Sequence, residues 1–172
     1  MDPHPTHRHA DANLLRRAIR RSAGWRPFSW TYARILHPVD RAVFRLTRGR
    51  ATFTSWLADL PVAWLTTTGA KSGARRRAPV LALPAGDGKL VVIASNYGQH
   101  NNPSWYYNLR ANPRTQVEFD GVEREMVARE LEDDAERERW YAAGIDIYPG
   151  WVQYRKRAAH RRIPVIELTA PR

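Results

Sequence analysis

The 172-residue sequence contains no cysteine, which excludes disulfides, thiolate metal sites and cysteine nucleophiles. It has no apolar run near the roughly 20 residues that span a bilayer, and its mean hydropathy is −0.59. It does not open with the basic, apolar and small-residue succession of a secretory signal, so the expected location is the cytoplasm. Lysine is scarce, with only Lys71, Lys89 and Lys156 among 28 basic residues. Acidic residues number 17, leaving a net charge of +11. Residues 1–50 hold eleven arginines against three aspartates, and the rest of the chain carries only +3 of that excess.

Several common chemistries lack their residues. Gly69-Ala70-Lys71-Ser72 superficially suggests a phosphate loop, but Lys71 follows Ala70 and the upstream glycine is missing. There is no G-x-S-x-G for a serine nucleophile, and no pair of histidine metal ligands at i, i+4. His4, His7 and His9 could bind a metal weakly, but a solvated tail lacks the fixed geometry that ligation needs. No metal is expected.

Residues 1–12 offer almost nothing to bury, so disorder is expected there. Leu14, Leu15, Ala18 and Ile19 recur at helical spacing against Arg16, Arg17, Arg20 and Arg21, which predicts a short basic amphipathic helix over 13–22. A second such helix is predicted around 32–48. The domain boundary is expected at 31/32, with a basic tail before it and a folded domain over 32–172.

The composition then changes. Val62–Thr68, Ala78–Leu83 and Lys89–Ser95 read as strands, with a turn at 69–73 after the first. A loop over 96–103 leads to a short helix at 104–110. Strands at 115–119 and 122–129 flank Asp120-Gly121, a strong hairpin signal. Helices are predicted over 133–143 and 146–159, and a closing strand over 163–169. Antiparallel strands with inserted helices, and no βαβ rhythm, predict a mainly β fold with helices (α+β), a small β-barrel.

Three clusters carry chemistry. Gly69 to Arg77 (GAKSGARRR) concentrates Lys71, Arg75, Arg76 and Arg77 beside glycines that let backbone amides turn toward an anion. This suits phosphate or carboxylate; a solvated basic hairpin accounts for the same residues. Ser95 to Asn108 (SNYGQHNNPSWYYN) can offer backbone hydrogen bonds and the Trp105 ring to a flat heterocycle, or place Trp105 in the core. Tyr148, Trp151 and Tyr154 recur at three-residue spacing and can share a helical face, either in the core or at a pocket mouth.

In this order, LTTTGAKSGARRRAP (65–79), VVIASNYGQHNNPSWYYNLRAN (91–112) and, more loosely, 148–154 resemble the deazaflavin-dependent nitroreductase family, which uses coenzyme F420. The likeness covers roughly residues 34–169. It implies a split β-barrel with peripheral helices and an N-terminal helical extension. It also implies a cofactor with an anionic phosphate and oligoglutamate tail, flavin mononucleotide ranking behind it. By the same resemblance Lys71, Ser72 and Arg76 would hold the tail phosphate, with Arg75 and Arg77 as weaker contacts, and Pro79 would shape the ring pocket. Ser95, Asn96, Tyr97 and Gly98 would meet the ring through their backbone, supported by Trp105 and Asn108. Tyr148, Trp151 and Tyr154 would form the acceptor side, and Tyr148, Tyr154 or Ser95 would donate a proton or polarise the acceptor. Ala70 departs from the family's frequent Arg, Tyr97 from a usually small residue, and Trp151 from a Tyr.

The implied reaction is hydride transfer from reduced F420 to an electron-poor apolar acceptor, a quinone, nitroaromatic or enone. The alternative is a binding or storage protein for a deazaflavin or flavin. Nucleic acid is not an expected partner, because the charge lies mainly at the N-terminal end, away from a readable platform. The basic stripes of residues 13–48 suggest instead an anionic membrane surface, peripheral on the inner face of the cell membrane.

Overall fold

Alternation of buried and half-buried residues along VAWLTTT sets the first strand, β1, at Val62–Thr68, with Ala63, Leu65 and Thr67 turned inward. A computed structural model of the chain describes residues 60–171. The expected helices at 13–22 and 32–48, the disordered tail, the boundary at 31/32 and the membrane-facing surface all lie outside the described residues. After β1 come β2 (Arg75–Pro84), β3 (Leu90–Ile93), helix α1 (Ser104–Ala111), β4 (Arg114–Phe119) and β5 (Val122–Glu130). Helices α2 (Asp134–Ile147) and α3 (Gly150–Arg157) and strand β6 (Val165–Thr169) complete the order.

The strands close a barrel in the order β1-β2-β3-β6-β5-β4, every pairing antiparallel. With its peripheral helices this is a split β-barrel. Its interior holds Leu65, Val80, Val92, Val117, Met126 and Leu168, with Tyr106 and Leu109 of α1 joining them. A second core forms outside, where Val91, Ile93 and Val165 meet the aromatics of α2 and α3. β3 lies between the two cores and is buried on both faces, which is why LVVI reads as an unbroken apolar run. The Asp120-Gly121 turn has φ of 51° and 77°, both positive as a two-residue hairpin requires.

Two expectations need correction. β2 begins three residues earlier than its apolar pattern suggests, because Thr66, Thr67 and Thr68 pair with Arg77, Arg76 and Arg75. These arginines therefore belong to a strand, not to the turn. The break between α2 and α3 falls at Tyr148-Pro149 rather than near residue 145. Pro149 holds Tyr148 in extended backbone (φ −135°, ψ 94°), which ends α2.

Candidate functional site

The turn after β1 places Lys71 and Ser72 in solvent, and β2 then sorts the three arginines by its pleat. Arg75 and Arg77 lie on the outer face. Arg75 Nη2 donates to Gln116, and Arg77 pairs with Glu118 at 2.5 Å while lying 5.0 Å over the Trp64 ring. Arg76 falls on the opposite face, in line with Ala78 and Val80. Neither Lys71 nor Arg76 has an acidic partner among the described residues. Pro79, exposed, sits on the outer face opposite Trp64.

The turn is tied to α1 by Asn108. Its Oδ1 accepts from the Ala70 N–H at 3.0 Å, and its Nδ2 donates to Thr67 Oγ1 at 3.0 Å. Asn108 is buried, so both bonds stand in a poorly solvated setting where losing them is costly. Its observed contacts are thus with the basic turn. Trp105, half-buried, packs on the barrel core.

At the other end of α1 lies the segment that follows β3. Ser95 is buried, and Asn96, Tyr97 and Gly98 have φ of 49°, 56° and 72°. Left-handed backbone costs a residue with a Cβ about 1–2 kcal/mol, so two such residues in succession must be held by their surroundings. Asn96 Nδ2 donates to the Asn101 carbonyl at 2.8 Å. A Cβ on Gly98 would stand 2.7 Å from the Tyr154 carbonyl oxygen, so only glycine lets the segment lie this close to α3. Tyr97, 45% exposed, stands edge-on to Tyr154 at 5.8 Å.

The segment is also gripped by Arg161, which sequence reasoning missed. Its Nη2 donates to the Ser95 carbonyl at 2.9 Å and its Nε to the Gln99 carbonyl at 3.2 Å. Nη1 donates to the Asn102 amide oxygen. Burial pulls this guanidinium below its ordinary pKa, with Tyr107 and Tyr141 acting the other way. Nothing local marks Arg161, since its acceptors lie about 60 residues away in sequence.

Tyr148, Trp151 and Tyr154 come together, but not on one helical face: Tyr148 stands between α2 and α3. All three are buried in the outer core. The Tyr148 and Tyr154 hydroxyls are 3.0 Å apart. Burial, reinforced by Tyr148 and Tyr97, pushes the Tyr154 phenol well above its ordinary pKa, so it remains a neutral hydroxyl. Tyr141 donates to the Trp151 carbonyl at 3.1 Å. Among the described residues no group of three acidic or histidine side chains could hold a metal ion, and no helix is long and apolar enough to cross a membrane.

Solved structures with this architecture define the class. An F420-H2 dependent reductase (FDR-A) is 38% identical, with a TM-score of 0.56 over 63% of this chain and 93% of that one. A second, described as a domain-swapped dimer, is 33% identical, with a TM-score of 0.58 over 83% and 99% of the two chains. An F420H(2)-dependent quinone reductase of Mycobacterium tuberculosis (strain ATCC 25618 / H37Rv) is 31% identical over 130 residues, 74% of this chain and 85% of its own length. The model of the F420H(2)-dependent quinone reductase family matches residues 39–170. The chain belongs to that family: it is an oxidoreductase, and coenzyme F420 is its cofactor. The residues present fit an anionic cofactor, because Lys71 and Arg76 carry charge that no described carboxylate neutralises.

Proposed function

We propose that the chain binds reduced F420 along α1, with its anionic tail on the basic turn and its ring against the segment that follows β3, and reduces a quinone. The observation that carries this reading is Asn108 and its helix. Asn108 fixes the turn that bears Lys71, and seven residues earlier Asn101 fixes Asn96 in the left-handed segment. The stretch 101–108, α1 with the loop that leads into it, thus links an anion site to a site rich in backbone polar groups.

In this reading Lys71, Ser72 and Arg76 bind the tail phosphate, while Arg75 and Arg77, engaged by Gln116 and Glu118, contribute little. Ser95, Asn96, Tyr97 and Gly98 meet the ring. Asn108 steadies the basic turn from α1, Trp105 backs α1 on the barrel core, and Pro79 lies on β2, the strand that carries Arg76. When bound, the reduced deazaflavin supplies a hydride, which an electron-poor acceptor takes as a pair of electrons. The protein's part is to orient the acceptor, exclude water and polarise its oxygen. Ser95 and the Tyr148–Tyr154 pair behind Tyr97 are the hydroxyls assigned to that task, and Trp151 packs edge-on against Tyr148. Nitroaromatics and enones share the quinone's apolar, electron-poor character and belong to the same acceptor range. Residues 13–48 would bring the protein to an anionic membrane surface from the cytoplasmic side, where lipid-soluble quinones reside.

Equilibrium titration with F420 and with flavin mononucleotide, followed by an acceptor screen with the reduced deazaflavin, tests the reading. F420 should bind in preference, and quinones should be reduced. Tight flavin binding with no F420 binding would overturn it.

A further inference from the structure

We propose that Arg161 is a positioning residue that clamps residues 95–99 from both ends and so holds Asn96, Tyr97 and Gly98 in the left-handed conformation that receives the deazaflavin ring. The inference rests on the reading of that segment as the ring site. It concerns a residue outside every motif that carries the family resemblance.

The argument begins with strain. Asn96 and Tyr97 adopt φ of 49° and 56°, a region that side chains with a Cβ avoid, so the chain on its own would relax out of it. The segment's own backbone supplies two bonds, from Gly98 N–H to the Ser95 carbonyl and from Gln99 N–H to the Asn96 carbonyl, both 2.9 Å, and further ties must come from outside it. Ser95 and Gln99 are the two ends of the strained stretch, and both carbonyls accept from the single Arg161 guanidinium. Its third bond, to the Asn102 side chain, extends the grip to the residue before Pro103, from which α1 starts.

Among the described residues no carboxylate competes for the guanidinium. Every acceptor that Arg161 meets among them is neutral, whereas Arg129, Arg137, Arg155 and Arg162 are each spent on an acidic side chain. A planar group with five N–H donors in a fixed fork can define three acceptor positions at once, which a lysine cannot reproduce. The neighbouring residue adds a further tie. His160 Nε2 meets the His100 carbonyl at 3.0 Å, and the two imidazoles stack at 4.6 Å. The turn after α3 therefore acts as a template, and α3 closes the other side through Gly98.

The test uses Arg161→Gln and Arg161→Lys in the full chain, with amide hydrogen exchange of residues 96–99 in the cofactor-free protein and fluorescence titration with oxidised F420. For Arg161→Gln we expect faster exchange confined to this segment and F420 binding weaker by about tenfold or more, the scale of losing charge-assisted bonds. Arg161→Lys should recover only part of the affinity, and added guanidinium ion should restore binding to Arg161→Gln, which global destabilisation would not allow. Asn102→Ala removes one acceptor alone and should give a smaller change of the same kind, so the test survives if Arg161→Gln does not fold. Unchanged exchange in Arg161→Gln, or in Asn102→Ala where that is the variant that folds, would overturn the positioning role. Faster exchange with unaltered F420 affinity would instead overturn the assignment of this segment to the ring, and with it the inference.

Discussion

Three successive arginines receive two environments from one pleat. Arg75 and Arg77 reach outward to partners on β4, and Arg76 keeps its charge on the other face. Lys71→Ala and Arg76→Ala should each weaken F420 binding at least about tenfold, since a hydrogen bond to a charged group contributes about 1.5–3 kcal/mol. Arg77→Ala should lose little affinity, and its exposed pair with Glu118 contributes only about 0.2–1 kcal/mol to stability. Fluorescence titration of the variants orders these effects; equal losses at all the arginines would point to diffuse attraction rather than a site. Tyr148→Phe retains the ring and removes the bond to Tyr154. Its quinone turnover should fall while F420 affinity barely moves, and an unchanged rate would remove Tyr148 from the acceptor chemistry.

Among the elements, α2 and α3 depend on one close approach. A Cβ at Gly144 would lie 1.7 Å from Cζ3 and 2.2 Å from Cε3 of Trp151, far inside van der Waals contact. Helix propensity favours alanine over glycine by about 1 kcal/mol, but overpacking costs about 1–3 kcal/mol. Gly144→Ala should therefore lower the midpoint of urea unfolding, and a rise would mean that the helices can part without cost. The elements show what local pattern reveals. β1 is legible to the residue because VAWLTTT, an apolar run closing in threonines, stops at a glycine turn. β2 was read short, because three arginines look like a solvated turn until the threonines of β1 pair with them. The α2–α3 break carried its signal in Tyr148-Pro149, which the aromatic spacing across it obscured. Of the candidate site, the basic turn and residues 95–98 could be found from motifs. Arg161 and the link from Asn108 to Thr67 could not, because long-range contacts leave no local period.

At the scale of the whole molecule, the outer core stores buried phenols. Burial pushes Tyr141 up to about 12 and Tyr154 further in the same direction. In the unfolded chain these groups ionise near pH 10, so above that pH unfolding releases protons that the folded state retains. The stabilisation is present in full below about pH 10 and is lost as the pH rises through about 12, with Tyr141 alone accounting for roughly 2–3 kcal/mol. Urea unfolding at successive alkaline pH values should show this decline, and Tyr141→Phe should flatten it. In the proposed reading this core lies behind the acceptor, and the Tyr154 hydroxyl remains neutral throughout the physiological range.

The central claim is that this barrel passes a hydride from reduced F420, held by the basic turn, to a quinone. The most direct measurement is anaerobic oxidation of reduced F420 by a soluble quinone, followed through the return of the deazaflavin's visible absorbance, in the parent and in the Lys71→Ala/Arg76→Ala double variant. The account predicts steady turnover by the parent and a KM for reduced F420 raised roughly a hundredfold in the double variant, two charge-assisted contacts being lost. No turnover by a parent that binds the cofactor, or an unaltered KM in the double variant, would contradict it.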